Sequence, residues 1–156
     1  MKYQTLIEQL SSDIKILVVK AKQLDEYKLH GELRDRLNDL EGGLKPSIDI
    51  HVIVNNKIIV ACTLIDHKLS NYETKLYSKL KVNPKVFVRE FWVHPQFRGL
   101  GLGKQIIAFI VKSFSNIALS TDNTGENTNE SAIHLYEKMG FRRVKVEKAS
   151  TYWYKE

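Results

Sequence analysis

Cysteine occurs once in the 156 residues, at Cys62, so no intramolecular disulfide can form and a bridge-stapled scaffold is excluded. A lone thiol suits a reducing compartment. Three prolines and eight glycines are too few for a collagen-like or low-complexity chain. No apolar run approaches the roughly 20 residues that a membrane-spanning helix needs. The stretch Met1 to Leu10 contains Glu8 and lacks the charged-then-apolar layout of a secretory leader. The cytoplasm is therefore the default location. Internal repeats and linkers rich in Gly, Pro or Ser are also missing. What remains is an ordinary globular composition, 43% hydrophobic and 27% charged. The length suits one domain, 1–156, that buries a real core.

Acidic residues fall short of basic ones, which leaves a net charge of +6. Such a surface can serve an anionic cofactor, a nucleic acid or an acidic protein. The charge alone does not choose between them. The seven acids and seven bases from Asp13 to Lys45 cancel. From Asp66 to Arg89, six bases (68, 75, 79, 81, 85, 89) face two acids (66, 73), a local excess of four.

Hydrophobic spacing predicts a mixed α/β domain. Ser12 can cap a helix with apolar positions Ile14, Leu17, Val18, Ala21 and Leu24. A second amphipathic stretch, Leu33, Leu37 and Leu40, stops at Gly42-Gly43. Residues 48–54 and 57–65 read as a hairpin around Asn55-Asn56. Residues 66–84 read as an insertion, a solvated loop anchored by Tyr72 and Tyr77. A strand over 85–94 is stopped by Pro95, and an apolar helix follows over 103–114. A strand over 117–121, a loop over 122–128 and a helix over 130–139 come next. In that helix Ala132, Leu135, Tyr136 and Met139 share one stripe, and Gly140 stops it. Strands over 141–147 and 151–154 close the chain.

The most informative stretch joins the strand over 85–94 to its helix: Glu90-Phe-Trp-Val-His-Pro-Gln-Phe-Arg98-Gly99-Leu-Gly101-Leu-Gly103-Lys104. Three glycines spaced two apart open a helix directly after a strand. The first free N–H groups of such a helix converge on one spot, and the dipole makes that spot positive. Glycines let the main chain approach an oxygen-rich group without a Cβ in the way. A Rossmann fingerprint, Gly-x-Gly-x-x-Gly, does not match the Gly-x-Gly-x-Gly spacing. A phosphate loop fails too, because Gly103-Lys104 is followed by Gln105.

Val93-His-Pro-x-x-Arg98-Gly-x-Gly101-x-Gly103 resembles the pyrophosphate-binding signature of GNAT acetyltransferases, Arg/Gln-x-x-Gly-x-Gly/Ala. Asn129-x-x-Ala132-x-x-Leu-Tyr136-x-x-x-Gly140-Phe141 is similar to the later motif of the same family, in the same order. The resemblance spans about residues 48 to 147. It implies the GNAT fold, a mixed central β-sheet flanked by helices, and an N-acetyltransferase that uses acetyl-CoA and an amine, with no metal. By position, the backbone of Arg98, Gly99, Leu100, Gly101, Leu102, Gly103 and Lys104 would bind the CoA pyrophosphate. Phe91, Trp92 and Val93 would pair with the pantetheine arm, the Val93 amide near the thioester carbonyl. Asn129 would hydrogen-bond the cofactor, and Tyr136 would protonate the leaving thiolate.

A lysine-like amine has a free pKa near 10.4, so at neutral pH a base must assist or a minority neutral form must bind. Glu90 is the best-placed carboxylate. One common family arrangement has its acid one residue earlier, where this chain has Arg89. Adjacent strand residues face opposite ways, so Glu90, His94 and a water chain stay open as bases. A pairing of Glu90 with Lys85 or Arg89 is the purely structural reading. Cys62 has no His neighbour of the kind a thiol nucleophile wants, which favours direct transfer over an acyl-enzyme. His51, His67 and His134 form no ligand-like group. The rival function is a non-catalytic basic module that binds nucleic acid or an acidic protein on a GNAT-like fold. Acceptor identity, acyl length and oligomeric state, a dimer among the options, are not written in the motifs.

Overall fold

The computed structural model describes residues 15–123 and 130–156. Strand β1 is Lys15–Val19, followed by a 3-10 helix over Ala21–Glu26 and helix α1 over Gly31–Asn38. Strands β2 (Ile48–Asn55) and β3 (Ile58–Asp66) precede helix α2 (Asn71–Lys79) and strand β4 (Val86–Val93). A 3-10 turn over Pro95–Phe97 leads into helix α3 (Leu102–Ser113) and strand β5 (Ile117–Asp122). Helix α4 (Glu130–Lys138) and strands β6 (Arg142–Val146) and β7 (Ser150–Lys155) complete the chain. The seven strands form one mixed sheet in the order β1-β2-β3-β4-β5-β7-β6. Strands β4 and β5 are parallel, whereas β1–β2, β5–β7 and β6–β7 are antiparallel.

Backbone contacts divide the chain into two compact units, residues 1–64 with 90–106, and residues 65–89 with 107–156. In the first, Leu33 and Leu37 of α1 pack on Ile50, Val52, Ile59, Cys62, Leu64 and Trp92. Ile50 and Val52 alternate along β2, and Cys62 and Leu64 along β3, with the period of a pleated strand, while β3 is buried on both faces. In the second, Tyr77, Phe87, Ala118 and Tyr154 form a smaller cluster, with Leu69, Leu76, Val82 and Tyr152 at its margin. The Tyr77 hydroxyl donates to the carbonyl of Trp153 at 3.1 Å.

Three expectations are corrected. Residues 15–19 are a strand, not part of a helix. Ile16-Leu17-Val18-Val19 is a continuous apolar run rich in β-branched residues, and ladder pairing with β2, Lys15 opposite Val54 through Val19 opposite Ile50, outweighs the 3–4 spacing. Only Ala21–Glu26 is helical, as a 3-10 turn that buries Leu24. Ser12 and Ile14 lie outside the described residues.

The supposed loop over 66–84 holds α2. Ser70 Oγ accepts from the Glu73 amide while Glu73 returns the bond to the Ser70 amide, a capping box of the Ser-x-x-Glu kind. The anchoring role of its tyrosines stands: Tyr72 donates to Glu147 at 3.0 Å, and Tyr77 is buried. The hairpin turn is shifted by one residue. Asn56 and Lys57 take the positive φ values, 51° and 63°, that a tight right-twisted hairpin demands. Asn55 closes β2 instead and is buried.

Candidate active site

In the first unit, β4 delivers Phe91 and Val93 to one face and Glu90 and Trp92 to the other. Trp92 is 2% exposed and sits in the core. Its Nε1 donates to Glu32 Oε1 of α1 at 2.9 Å. The strand ends where the His94 amide donates to the Val60 carbonyl at 2.8 Å. Pro95 then opens the 3-10 turn, with His94 Nδ1 accepting from the Gln96 amide at 3.1 Å. His94 is therefore a structural cap, packed edge-on against His30 (4.7 Å between centroids) and Phe97 (5.2 Å). Burial, then the charges of His30 and Arg98, hold its pKa below the ordinary histidine value.

The glycine turn follows. Gly99 and Gly101 have φ of +81° and +83°, the left-handed region that favours glycine, while the space around each is open. Helix α3 begins at Leu102, and its first i-to-i−4 bond runs from the Gln105 amide to the Gly101 carbonyl. The amides of Leu102, Gly103 and Lys104 precede that bond and are free of intrahelical acceptors, at the positive end of a 12-residue helix. Gly103 is glycine for a different reason. A Cβ there would meet Phe91 Cζ at 3.0 Å, so the missing side chain lets α3 lie close to β4. Leu102 is buried and pins the first turn. This cradle of amides on glycine backbone fits a pyrophosphate group.

Arg98, just before the turn, is held on two sides. Its Nε donates to the Val93 carbonyl at 3.0 Å and its Nη2 to Glu32 Oε1 at 2.7 Å. Partial burial alone would raise the Glu32 pKa, but the bonds from Trp92 and Arg98 outweigh it and hold the carboxyl below its usual range. Glu90 pairs with Arg36 Nη1 at 2.6 Å rather than with Lys85 or Arg89. The Glu90 carbonyl accepts from Thr63 Oγ1 at 2.7 Å. Cys62 is fully buried, and burial followed by the Glu90 charge pushes its thiol up to about 12, which leaves no thiolate at neutral pH.

The second unit carries Tyr136, on the stripe of α4 shared with Ala132. It is 5% exposed and packs edge-on against Phe141 at 5.8 Å and tilted to Trp153 at 6.3 Å. Arg89, in the position where the related arrangement has an acid, points away from such chemistry. It is paired with Asp66 Oδ2 at 3.0 Å, with Glu73, and with the Lys68 carbonyl. Burial alone would lower its pKa, and the bonds to Glu73 and Asp66 raise it instead. Both acids of the 66–89 segment are thus taken up by Arg89, and the segment's five lysines carry the basic excess. Asn129 lies outside the described residues. Among the described residues no group of His, Cys, Asp and Glu is arranged to hold a metal ion, and no helix is long and apolar enough to cross a membrane.

Sequence reasoning placed Glu90, Phe91, Trp92, Val93 and the 98–104 turn in one region, and the first unit contains all of them. It missed Glu32 and Arg36, which grip that region from α1. Opposite charges at i and i+4 on a helix usually mark a surface pair, so no local signal sets these two apart.

The acetyltransferase (GNAT) domain family matches residues 46–143. Comparison with curated proteins gives no match. Among solved structures, the ribosomal-protein-S18-alanine N-acetyltransferase of Escherichia coli is similar with a TM-score of 0.62 at 13% identity, covering 90% of this chain and 92% of that one. Arabidopsis thaliana NAA60, solved with a bisubstrate analogue, gives 0.61 at 16%, covering 90% and 95%. A Bacillus anthracis acetyltransferase solved with acetyl coenzyme A gives 0.58 at 18%, covering 92% and 98%. Identities this low speak for the fold alone. The family match over well more than half of the chain, laid over a glycine turn between β4 and α3, makes this protein a member of the GNAT acetyltransferase family.

Proposed function

We propose that the protein moves an acetyl group from acetyl-CoA directly to a primary amine, on a small molecule or a protein, within a ternary complex. The observation that carries this reading is the glycine turn. Two left-handed glycines with open space beside them lead from the end of β4 into the first α3 turn, whose amides have no intrahelical acceptor. The amides from Arg98 to Lys104 hold the CoA pyrophosphate, and the backbone of Phe91 to Val93 takes the pantetheine arm. Glu90, paired with Arg36, removes a proton from the incoming ammonium, directly or through water. Nitrogen then attacks the thioester carbonyl. The C–S bond breaks, Tyr136 gives its proton to the departing thiolate, and the proton shed by the new amide nitrogen restores the Tyr136 hydroxyl through solvent. The inert thiol of Cys62 supports transfer without an acyl-enzyme. Asn129 adds a hydrogen bond to the cofactor.

Thermal unfolding with and without acetyl-CoA, with ATP and NAD as controls, tests the reading. A ligand at 100 times its Kd adds about 2.7 kcal/mol, which should raise the midpoint by about 5–10 °C. A selective rise supports the site and leads to an amine screen by thiol release. No rise at millimolar acetyl-CoA sinks it.

A further inference from the structure

No atom outside the adjoining residues lies within 4 Å of where a Cβ would sit on Gly99 or Gly101, so on that side nothing packs against the turn. The Gly101 carbonyl accepts from the Gln105 amide at 3.1 Å, and the turn is held from its two ends. Its far end is pinned by buried Leu102 and by Gly103 against Phe91. Its near end is Arg98, an exposed side chain that would ordinarily sample many rotamers. Here two of its N–H groups are committed, one to the Val93 carbonyl that ends β4 and one to Glu32. The same Glu32 oxygen is anchored to Trp92, which is immobilised in the core.

We propose that Glu32 of α1 is a positioning residue for the cofactor turn: by tying Arg98 to Trp92 it holds the backbone of residues 98–101 in the anion-binding conformation before the ligand arrives. Glu32 Oε1 is taken up by Trp92 and Arg98, so the residue acts through the turn rather than on the reacting atoms. It acts by removing the ordering cost that a loose turn would meet on binding. The inference rests on the acetyl-CoA reading of the turn.

The test is a double-mutant cycle on CoA affinity, measured by calorimetry on the full chain. Glu32→Gln keeps a carbonyl oxygen for Trp92 but weakens the grip on Arg98. It should weaken CoA binding by about tenfold, and so should Arg98→Ala. The double variant should bind no more weakly than Arg98→Ala alone, because both changes release the same turn. A general loosening of α1 would instead multiply the two losses, to about a hundredfold, and overturns the proposal. Wild-type affinity in Glu32→Gln overturns it as well. If Glu32→Gln does not fold, Arg98→Lys serves, since one ammonium cannot span both partners; unchanged affinity there has the same meaning. A wild-type protein that does not bind CoA removes the acetyl-CoA reading itself, which separates the two failures.

Discussion

Gly103 lies against the ring of Phe91, close enough that a Cβ would sit 3.0 Å from Cζ. The contact brings the first turn of α3 onto the end of β4, and it assigns different jobs to glycines that look alike in sequence. Gly103 has ordinary helical φ, so alanine there would gain up to about 1 kcal/mol of helix propensity and lose a similar amount in displacing Phe91. Gly103→Ala should leave the unfolding midpoint within a few degrees of wild type and weaken CoA binding. Gly99→Ala and Gly101→Ala meet no atom but force a left-handed φ, and each should cost about 1–2 kcal/mol. Melts and calorimetry on the three variants check the contrast.

Tyr136→Phe retains the ring that packs on Phe141 and Trp153. Loss of the hydroxyl should change stability by no more than about 1.5 kcal/mol. Loss of a general acid should lower turnover by about 100-fold or more with CoA affinity kept. Turnover near wild type would remove Tyr136 from the mechanism.

Arg89 stands between Asp66 and Glu73, largely shielded from solvent. Arg89→Met would leave two carboxylates without their cation and should cost about 2–4 kcal/mol. Arg143 pairs with Glu137 on the surface, both side chains about half exposed. Arg143→Ala should cost less than about 1 kcal/mol. Denaturant titrations of the two variants make the comparison, and equal losses would contradict the burial argument.

His94 caps its turn through Nδ1, which it can do only when that nitrogen is unprotonated. Its folded pKa is lowered, so the unfolded chain binds the proton more readily. Stability is then untouched above the unfolded value near 6.5 and falls as the pH drops through and below it. His94→Asn keeps a capping acceptor without the titration. It should flatten the acid limb of a midpoint-against-pH curve below about pH 6.5. An unchanged limb would move the effect to another group.

The sequence by itself determined the parts whose physics is local. Three glycines at a strand-to-helix junction are a feature of adjacent residues, and the motifs around Arg98 and Tyr136 mark the family. Most strands and helices were legible for the same reason, since the periods of 2 and 3.6 are properties of neighbouring residues. The strand at 15–19 was not, because a short apolar run fits either period and only the ladder with β2 decided it. Helix α2 was legible in its capping box and was obscured by the charge of its lysines. Tertiary structure alone decided the partners of the charges. Arg36 is 54 residues from Glu90, and Arg98 is 66 from Glu32. No local rule selects such pairs from a chain with 24 basic and 18 acidic residues. Which carboxylate is spent on structure and which is left beside β4 depends on packing, and packing brings distant residues together.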